Sequence, residues 1–379
     1  MLAAAVRAFF FARNYLEVET PLLAPALIPE SAIEVFRTSF EHPWRGARDM
    51  YLAPSPELWM KRLLAEGFGN MFQICKAFRN AESLGERHNP EFTILEYYTV
   101  DAGYLDSLRL TEDFFGCVLD AAAALPADPG AGKGLGRLRP PFRRVSMAEV
   151  FRAHAGLDLA AFAPRCAEEA PGAAKALTRE ALGKGLPAKE GDSWEAAFNR
   201  IFVGAVEPAL PQDRPLAILD YPRGVRCLAR DIPDSPWNER WELYAGGMEI
   251  ANCFTEETGA EKLAAYFREE AALKRGAIVP HAIDEGFMAL YTGNRAAPGR
   301  ARDWRGAEQP RPDGRGRSDS AAPESPVPAA GRNAPISSSG VAVGFDRLLM
   351  AILGEAAIGG VILFPFSDML APTLTRNRG

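Results

Sequence analysis

Two arginines are the residues of this chain best suited to chemistry. Arg79 closes an apolar run and precedes a charged loop, and Arg347 follows a glycine-punctuated run, Gly340 to Gly344. An arginine presents a planar fork of donors that matches phosphate, and glycines let the backbone approach a ligand closely. Arg347 would also stand near the start of a helix, where phosphate is favoured. Both arginines therefore predict phosphate contacts.

An alternating run follows Arg79 and suggests what accompanies the phosphate. Phe92, Ile94, Glu96 and Tyr98 recur at every second position, and successive side chains of a strand point to opposite faces. The segments 71–79 and 91–98 are predicted to form an antiparallel hairpin. An aromatic residue on its return strand could stack on a base, so the hairpin suits a nucleotide.

The remaining elements must position these residues, and they alternate between helices and strands. Helices are predicted over 2–14, from Glu57 to 64, and over 104–125, 146–207 (mostly helical), 259–275 and 283–291. Further strands are predicted over 15–19 and 216–221, within 222–230 after a loop, from 241 to a turn at Gly246-Gly247, from Glu249 to 254, and over 340–344. The pattern indicates an α+β fold.

Composition is that of an ordinary soluble globular protein. The chain has 379 residues, 47% of them hydrophobic, and a net charge of -6, which gives no support for a large nucleic-acid footprint. The five cysteines form no metal-binding or disulfide pattern, and no uncharged apolar run is long enough to cross a membrane. We expect a cytoplasmic protein with no membrane partner.

The stretch 292–338 differs from the rest, because it is rich in proline, glycine, arginine, alanine and serine. Such a segment cannot bury enough apolar surface to order itself. We interpret it as a disordered insertion within one folded domain that spans 1–379. The glycine-rich connection 125–141 lacks the spacing of a phosphate-binding loop and is predicted to be flexible.

Four short motifs resemble class II aminoacyl-tRNA synthetases of the lysyl branch. FRN at 78–80, RHNPEF at 87–92 and EYY at 96–98 resemble motif 2; EVETP at 17–21 resembles motif 1. SPE at 55–57 resembles the amino-acid loop, and SSGVAVGFDRLL at 338–349 resembles motif 3. The resemblance implies a class II catalytic domain, an antiparallel sheet flanked by helices, that forms a homodimer through motif 1 and uses ATP with Mg²⁺ to adenylate an amino acid.

The resemblance also assigns roles to residues of this chain. Arg79 and Arg347 would be catalytic. The predicted ATP-binding residues are Arg79, Asn80, Ala81, His88, Asn89, Phe92, Glu249, Ile250, Gly344 and Arg347. The predicted amino-acid-binding residues are Ser55, Pro56, Glu57, Tyr98, Asn252, Glu256 and Ala342.

Glu249 and Glu256 correspond to the family positions that bind the magnesium ions on ATP. The two residues are seven apart, and an odd separation puts them on opposite faces of a regular strand. For both to hold one cation, the chain must bulge or leave the strand between them. Two surface glutamates are the alternative interpretation from the residues alone.

Two features resemble the truncated paralogues of this branch that act on elongation factor P. Ala342 stands where lysyl-tRNA synthetases have glycine, and no segment of anticodon-binding size precedes motif 1. The resemblance implies activation of (R)-β-lysine or lysine and its transfer to a lysine of elongation factor P, with no stable nucleic-acid partner. The alternatives are a truncated enzyme that charges tRNA and a non-catalytic paralogue that binds an amino acid or nucleotide.

Motif 2 departs from the family in two respects. Ala81 stands where the family has glutamate, with Glu82 displaced by one position, and the loop from Arg79 to His88 is one residue longer. Either Glu82 takes the vacant role, or one adenine contact is lost.

Overall fold

The computed structural model describes residues 2–81, 85–124, 135–281, 283–292 and 336–374. Glu82, most of the predicted insertion and part of the connection 125–141 lie outside these ranges. The predictions made for them therefore stay predictions.

The helices and strands alternate along the described chain. The helices are α1 (Leu2–Phe11), α2 (Glu57–Ala65), α3 (Tyr104–Ala123), α4 (Met147–Ala155), α5 (Ala170–Gly183), α6 (Trp194–Ile201), α7 (Ala260–Lys274), α8 (Glu285–Thr292), α9 (Phe345–Leu353) and α10 (Phe366–Leu374). The strands are β1 (Leu16–Glu17), β2 (Leu23–Ala24), β3 (Arg37–His42), β4 (Gly46–Leu52), β5 (Met71–Phe78), β6 (Glu91–Val100), β7 (Arg143–Ser146), β8 (Leu216–Pro222), β9 (Trp237–Ala245), β10 (Met248–Thr255) and β11 (Ser338–Gly344).

One large sheet carries most of the strands, in the order β1-β5-β6-β11-β10-β9-β8-β7. The six central strands are antiparallel, which confirms the predicted α+β class, and β5 and β6 form the predicted hairpin. The edge strands β1 and β7 pair in parallel with β5 and β8. A separate three-stranded sheet, β2-β4-β3, was not predicted.

The two faces of the large sheet have different surroundings, the hydrophobic core on one side and a cavity on the other, because side chains alternate along each central strand. On β6, Leu95 and Tyr97 enter the hydrophobic core, whereas Glu96 and Tyr98 face the opposite side and line a cavity. The same alternation puts the core residues Trp241, Leu243, Ala251, Cys253, Val341 and Val343 behind the sheet. Polar residues between them are thereby directed to the cavity.

Three helices cover the apolar face. Phe10 of α1 stacks on Phe72 of β5 with ring centroids 4.7 Å apart, and α3 and α9 contribute Phe114 and Leu348 to the same core. Helices α4 to α6 form a second cluster against β8, around Phe198. The polar face of the central strands is thus left for the site.

One predicted strand is wrong. Residues 223–230 form a turn and irregular chain, with an isolated bridge at Ala229 in place of a strand. The N–H of Arg223 donates to the carbonyl of Pro236, so the return strand begins only at Trp237. Within the described ranges, each helix is too short or too polar to cross a membrane.

Candidate active site

A cavity of about 420 Å³ opens on the polar face of the sheet. Strands β6, β9, β10 and β11 form its floor, and the loops at 30–33 and 87–89 border it. Thirteen of the predicted site residues line it: Ser55, Glu57, Arg79, His88, Asn89, Phe92, Tyr98, Glu249, Ile250, Asn252, Ala342, Gly344 and Arg347. Segments far apart in sequence therefore meet at one site.

Four predicted residues lie outside the cavity wall. Pro56 is the N-cap of α2, and Asn80 donates from Nδ2 to the carbonyl of Val35 at 3.3 Å. Ala81 is exposed, with a left-handed φ of 54°. Glu256 lies behind Gly340. The ligand contacts predicted for these four residues stay predictions.

One end of the cavity is cationic. We call Arg79, Arg87 and Arg347, together with Phe92, the cationic end. The guanidinium carbon of Arg79 lies 5.2 Å from the centroid of the Phe92 ring, and within the described chain its buried Nε has no hydrogen-bond partner. Arginine and aromatic ring thus stand side by side, as phosphate and base recognition require.

The position of Arg347 is fixed by the start of α9. The carboxylate of Asp346 accepts the N–H of Thr93 at 2.7 Å, which ties the first turn of the helix to β6. Arg347 then donates from Nη1 to the carbonyl of Glu249 at 3.0 Å. Arg87 reaches the same region by donating to the carbonyl of Gly247 at 2.7 Å.

Strand β10 contains a bulge next to Glu249. Its register against β9 shifts between Glu249 and Ala251, so Glu249 and Asn252 both line the cavity although they are three residues apart. The Glu249 carboxylate lies 3.8 Å from Arg347. Desolvation inside the cavity, and secondarily the Glu242 carboxylate, raise the pKa of Glu249 to about 7.

The other end of the cavity is acidic. We call Glu57 and Glu96 of the cavity wall, together with Glu256 and Lys61 just outside it, the acidic end. The ammonium of Lys61, 3% exposed, lies 2.5 Å from Glu57 and 2.7 Å from Glu256. Glu96 accepts a hydrogen bond from the Tyr98 hydroxyl at 3.0 Å.

The acidic end has more carboxylates than cations. Burial first, and the neighbouring Glu57 carboxylate as well, raise the pKa of Glu96 to about 8. Burial likewise raises the pKa of Glu256 to about 7, although Lys61 acts in the opposite direction. One lysine ammonium does not balance three buried carboxylates, so a further cation would be bound favourably here.

Orphaned acceptors at the acidic end also suit an ammonium group. Oε1 of Glu256 and Oδ1 of Asn252 are buried without a hydrogen-bond partner in the part of the chain that the structure describes. Gly340 lies against Glu256: a Cβ there would meet Tyr98 at 2.6 Å and Oε1 of Glu256 at 3.0 Å. Glycine is therefore required at this position, and an ammonium could supply the missing donors.

The sequence did not single out four residues of the site: Glu30, Lys61, Arg87 and Glu96. Glu96 had a signal, because it alternates with Phe92 and Tyr98 on one strand face. Lys61 follows Glu57 by four residues on α2, which is the spacing of a helical ion pair. Glu30 lies in a loop and had no signal of its own.

The predicted magnesium pair is divided between the two ends. Glu249 faces Arg347, whereas Glu256 binds Lys61. No group of three or more His, Cys, Asp or Glu residues within the described ranges could hold a metal by itself. This does not conflict with a nucleotide-bound ion, because Mg²⁺ in such sites takes phosphate and water oxygens beside one or two carboxylates. Glu249 fits that arrangement.

Comparison with known proteins places this geometry in context. Residues 1–289, which include the hairpin and β10, match the family "tRNA synthetases class II (D, K and N)". The lysine–tRNA ligase of Pelotomaculum thermopropionicum is 34% identical over 364 residues; these cover 95% of this chain and 61% of that protein. The chain thus spans less than two thirds of that relative's length.

Relatives of a second kind match over most of their length. The elongation factor P–(R)-beta-lysine ligase of Histophilus somni is 30% identical over 367 residues, which cover 96% of this chain and 92% of that protein. The protein of the same name from Pectobacterium carotovorum is 34% identical over 296 residues, covering 76% of this chain and 81% of the relative.

Proposed function

The chain belongs to the class II (D, K and N) tRNA synthetase family, and from this premise we propose that it is an ATP-dependent aminoacyl ligase for (R)-β-lysine. It would activate the amino acid as an adenylate and transfer it to a lysine side chain of elongation factor P. The observation that carries the proposal is the cavity itself, which has a cationic end and an acidic end.

The cationic end suits the activation step. In adenylation the substrate carboxylate attacks the α-phosphorus of ATP and pyrophosphate leaves, so the protein must position groups and neutralise charge. Arg79 would hold the α-phosphate and Arg347 the pyrophosphate, with Phe92 stacked on adenine and His88 and Asn89 beside the nucleotide.

A magnesium ion fits the same end. Glu249 lines the cavity beside Arg347, and the raised pKa of its carboxylate reflects a site that gains from another cation. Magnesium held there would neutralise phosphate charge. Glu256 is better placed for the amino acid, because its carboxylate already contacts Lys61 in the acidic end.

The acidic end selects among the substrates that this family uses. Aspartate would bring a further carboxylate beside Glu57, Glu96 and Glu256, and asparagine would leave their excess charge unbalanced. A lysine-like ammonium supplies both charge and hydrogen-bond donors to Glu256 and Asn252. Sites built from buried polar groups discriminate strongly against ligands that leave those groups unpaired.

Ala342 favours the β-isomer and the paralogue over a tRNA-charging enzyme. In the sheet, Ala342 pairs with Asn252 on one side and with Glu96 on the other, so it lies between a predicted amino-acid contact and a carboxylate of the acidic end. A single methyl in a pocket wall changes selectivity by about 1–3 kcal/mol. Relatives named as ligases of elongation factor P are 30–34% identical to this chain over 76–96% of its length.

The intact mass of elongation factor P tests the proposal. The factor is incubated with this protein, ATP, magnesium and (R)-β-lysine, and a matched reaction contains bulk tRNA instead. We expect one added lysyl mass on the factor and no charged tRNA, and no added mass without ATP. Charged tRNA with unmodified factor would favour the truncated synthetase, and no product in either reaction despite ATP binding would favour a non-catalytic paralogue.

A further inference from the structure

A loop outside every recognised motif contributes a carboxylate to the cavity. Residues 30–33 form part of the cavity wall, between β2 and β3. Within the described chain, the Glu30 carboxylate forms neither a hydrogen bond nor an ion pair. Glu30 thus lines the cavity with a carboxylate that has no direct polar partner among the described residues.

The loop is held firmly from behind by α7. The N–H of Ser31 donates to Oε2 of Glu270 at 2.5 Å, and the buried ammonium of Lys274 donates to the carbonyl of Ile33. Glu270 is in turn held by Arg226 at 2.9 Å. Two backbone groups on either side of Ala32 are therefore anchored, which fixes the direction of the loop.

The same loop runs beside the cationic end. The N–H of Asn80 donates to the carbonyl of Glu34 at 2.8 Å, and its side-chain amide donates to the carbonyl of Val35. The segment that begins at Glu30 thus passes the residue after Arg79, whereas Glu96 lies on the sheet floor and accepts a hydrogen bond from Tyr98. Glu30 therefore lies within electrostatic reach of both Arg79 and Glu57.

The electrostatics of Glu30 agree with this placement. Burial, and next the Glu57 carboxylate, raise the pKa of Glu30 to about 7, while Arg79 and Lys61 act in the opposite direction. The charged groups with the largest effects on the pKa of Glu96 are Glu57, Lys61 and Glu256. The wall beside Arg79 therefore also favours an added cation.

We propose that Glu30 binds the ammonium group nearer to the reacting carboxylate of a diamino-acid substrate, while Glu96 and Glu256 bind the distal ammonium. The inference rests on the proposed function, because it takes the substrate carboxylate to lie at Arg79. The distal group fills the orphaned acceptors of Glu256 and Asn252. The nearer ammonium binds Glu30, which belongs to a loop separate from Glu96 and Glu256. The position of the nearer amino group on the substrate is therefore recognised independently of the length of the substrate's carbon chain.

The test compares Glu30→Gln with wild type on two ligands in pyrophosphate exchange. (R)-β-Lysine carries both ammonium groups, and 6-aminohexanoate keeps only the distal one; its inhibition constant can be measured whether or not it is activated. We expect kcat/KM for (R)-β-lysine to fall about 30-fold, as for a lost charged hydrogen bond. The inhibition constant of 6-aminohexanoate should change less than twofold.

Glu41→Gln is the matched control, because Glu41 is an exposed carboxylate on β3 outside the cavity. The melting temperature of Glu30→Gln at pH 8 should not fall, since the substitution removes a carboxylate whose charge is disfavoured. An equal loss for both ligands, or no loss for either, would overturn the role of Glu30 while leaving the proposed function intact. Absence of exchange in the wild type with any diamino acid would overturn both.

Discussion

The cationic and acidic ends of the cavity are built differently. The cationic end lies at the hairpin rim and the start of α9, and its arginines reach it from motifs that are contiguous in sequence. The acidic end lies deeper, and its members come from α2, β6 and the residue after β10. Both ends contain residues of the quoted motifs, but the members of the acidic end are joined by contacts between elements, with the Lys61 ammonium between Glu57 and Glu256.

The two ends also differ in electrostatic cost. Arginine guanidinium groups keep their charge in almost any protein environment. Buried carboxylates lose their charge more easily. The pKa values of Glu96 and Glu256 are raised because burial disfavours their ionised form, even beside Lys61. The acidic end is therefore the less stable part of the site without ligand, and an ammonium substrate would relieve it.

The largest expected effect comes from Arg79→Ala at the cationic end. Removing the guanidinium that is proposed to hold the α-phosphate should lower the rate of pyrophosphate exchange about 10³-fold, because charge in the transition state loses its partner. Arg37→Ala is the matched control, since Arg37 is exposed on β3. Unchanged exchange in Arg79→Ala would break the assignment of this end to ATP.

Glu96→Gln tests the acidic end with a smaller effect. The substitution keeps the shape of the side chain and removes one buried charge, so KM for the amine substrate should rise about 30-fold. KM for ATP should change less than twofold, which separates the two ends. Glu91→Gln on the same strand is the control, because the Glu91 side chain is 54% exposed. An equal rise in both KM values would mean that the ends do not act separately.

The contrast between the two ends also explains what the sequence could predict. The hairpin, the Arg79 and Arg347 positions and the start of α9 follow from local patterns, and the structure has them. The sequence required a bulge only if Glu249 and Glu256 share one cation; β10 has a bulge after Glu249, but the two glutamates contact different cations, Arg347 and Lys61.

Other parts of the site depend on contacts that no local pattern carries. Glu30 reaches the cavity because Glu270 and Lys274, some 240 residues later, anchor its loop. Lys61 was assigned to an ordinary helix, yet its ammonium joins Glu57 to Glu256 across two elements. The strand predicted within 222–230 is wrong for a similar reason. The N–H of Arg223 donates to the carbonyl of Pro236, and the strand that pairs with β8 begins only at Trp237.

The smallest effect is on stability, and it follows from the sign of the pKa shift at Glu96. Its pKa is raised in the folded protein by burial and by Glu57 and Glu256, against the opposing effects of the Tyr98 hydrogen bond and Lys61. The folded state then binds a proton that the unfolded state has already released. The contribution of Glu96 to the free energy of unfolding is complete below about pH 4.5 and is lost as pH rises to about 8.

Urea unfolding of the wild type and of Glu96→Gln at pH 5 and pH 8 measures this contribution. The glutamine variant cannot titrate, so its stability should fall less between the two pH values, by on the order of 1–2 kcal/mol. Lysine added to the wild type should recover part of the loss at pH 8, because its ammonium compensates the charge that burial disfavours. Equal pH dependence of the two proteins would mean that the acidic end carries no excess charge, and the electrostatic difference between the ends would disappear with it.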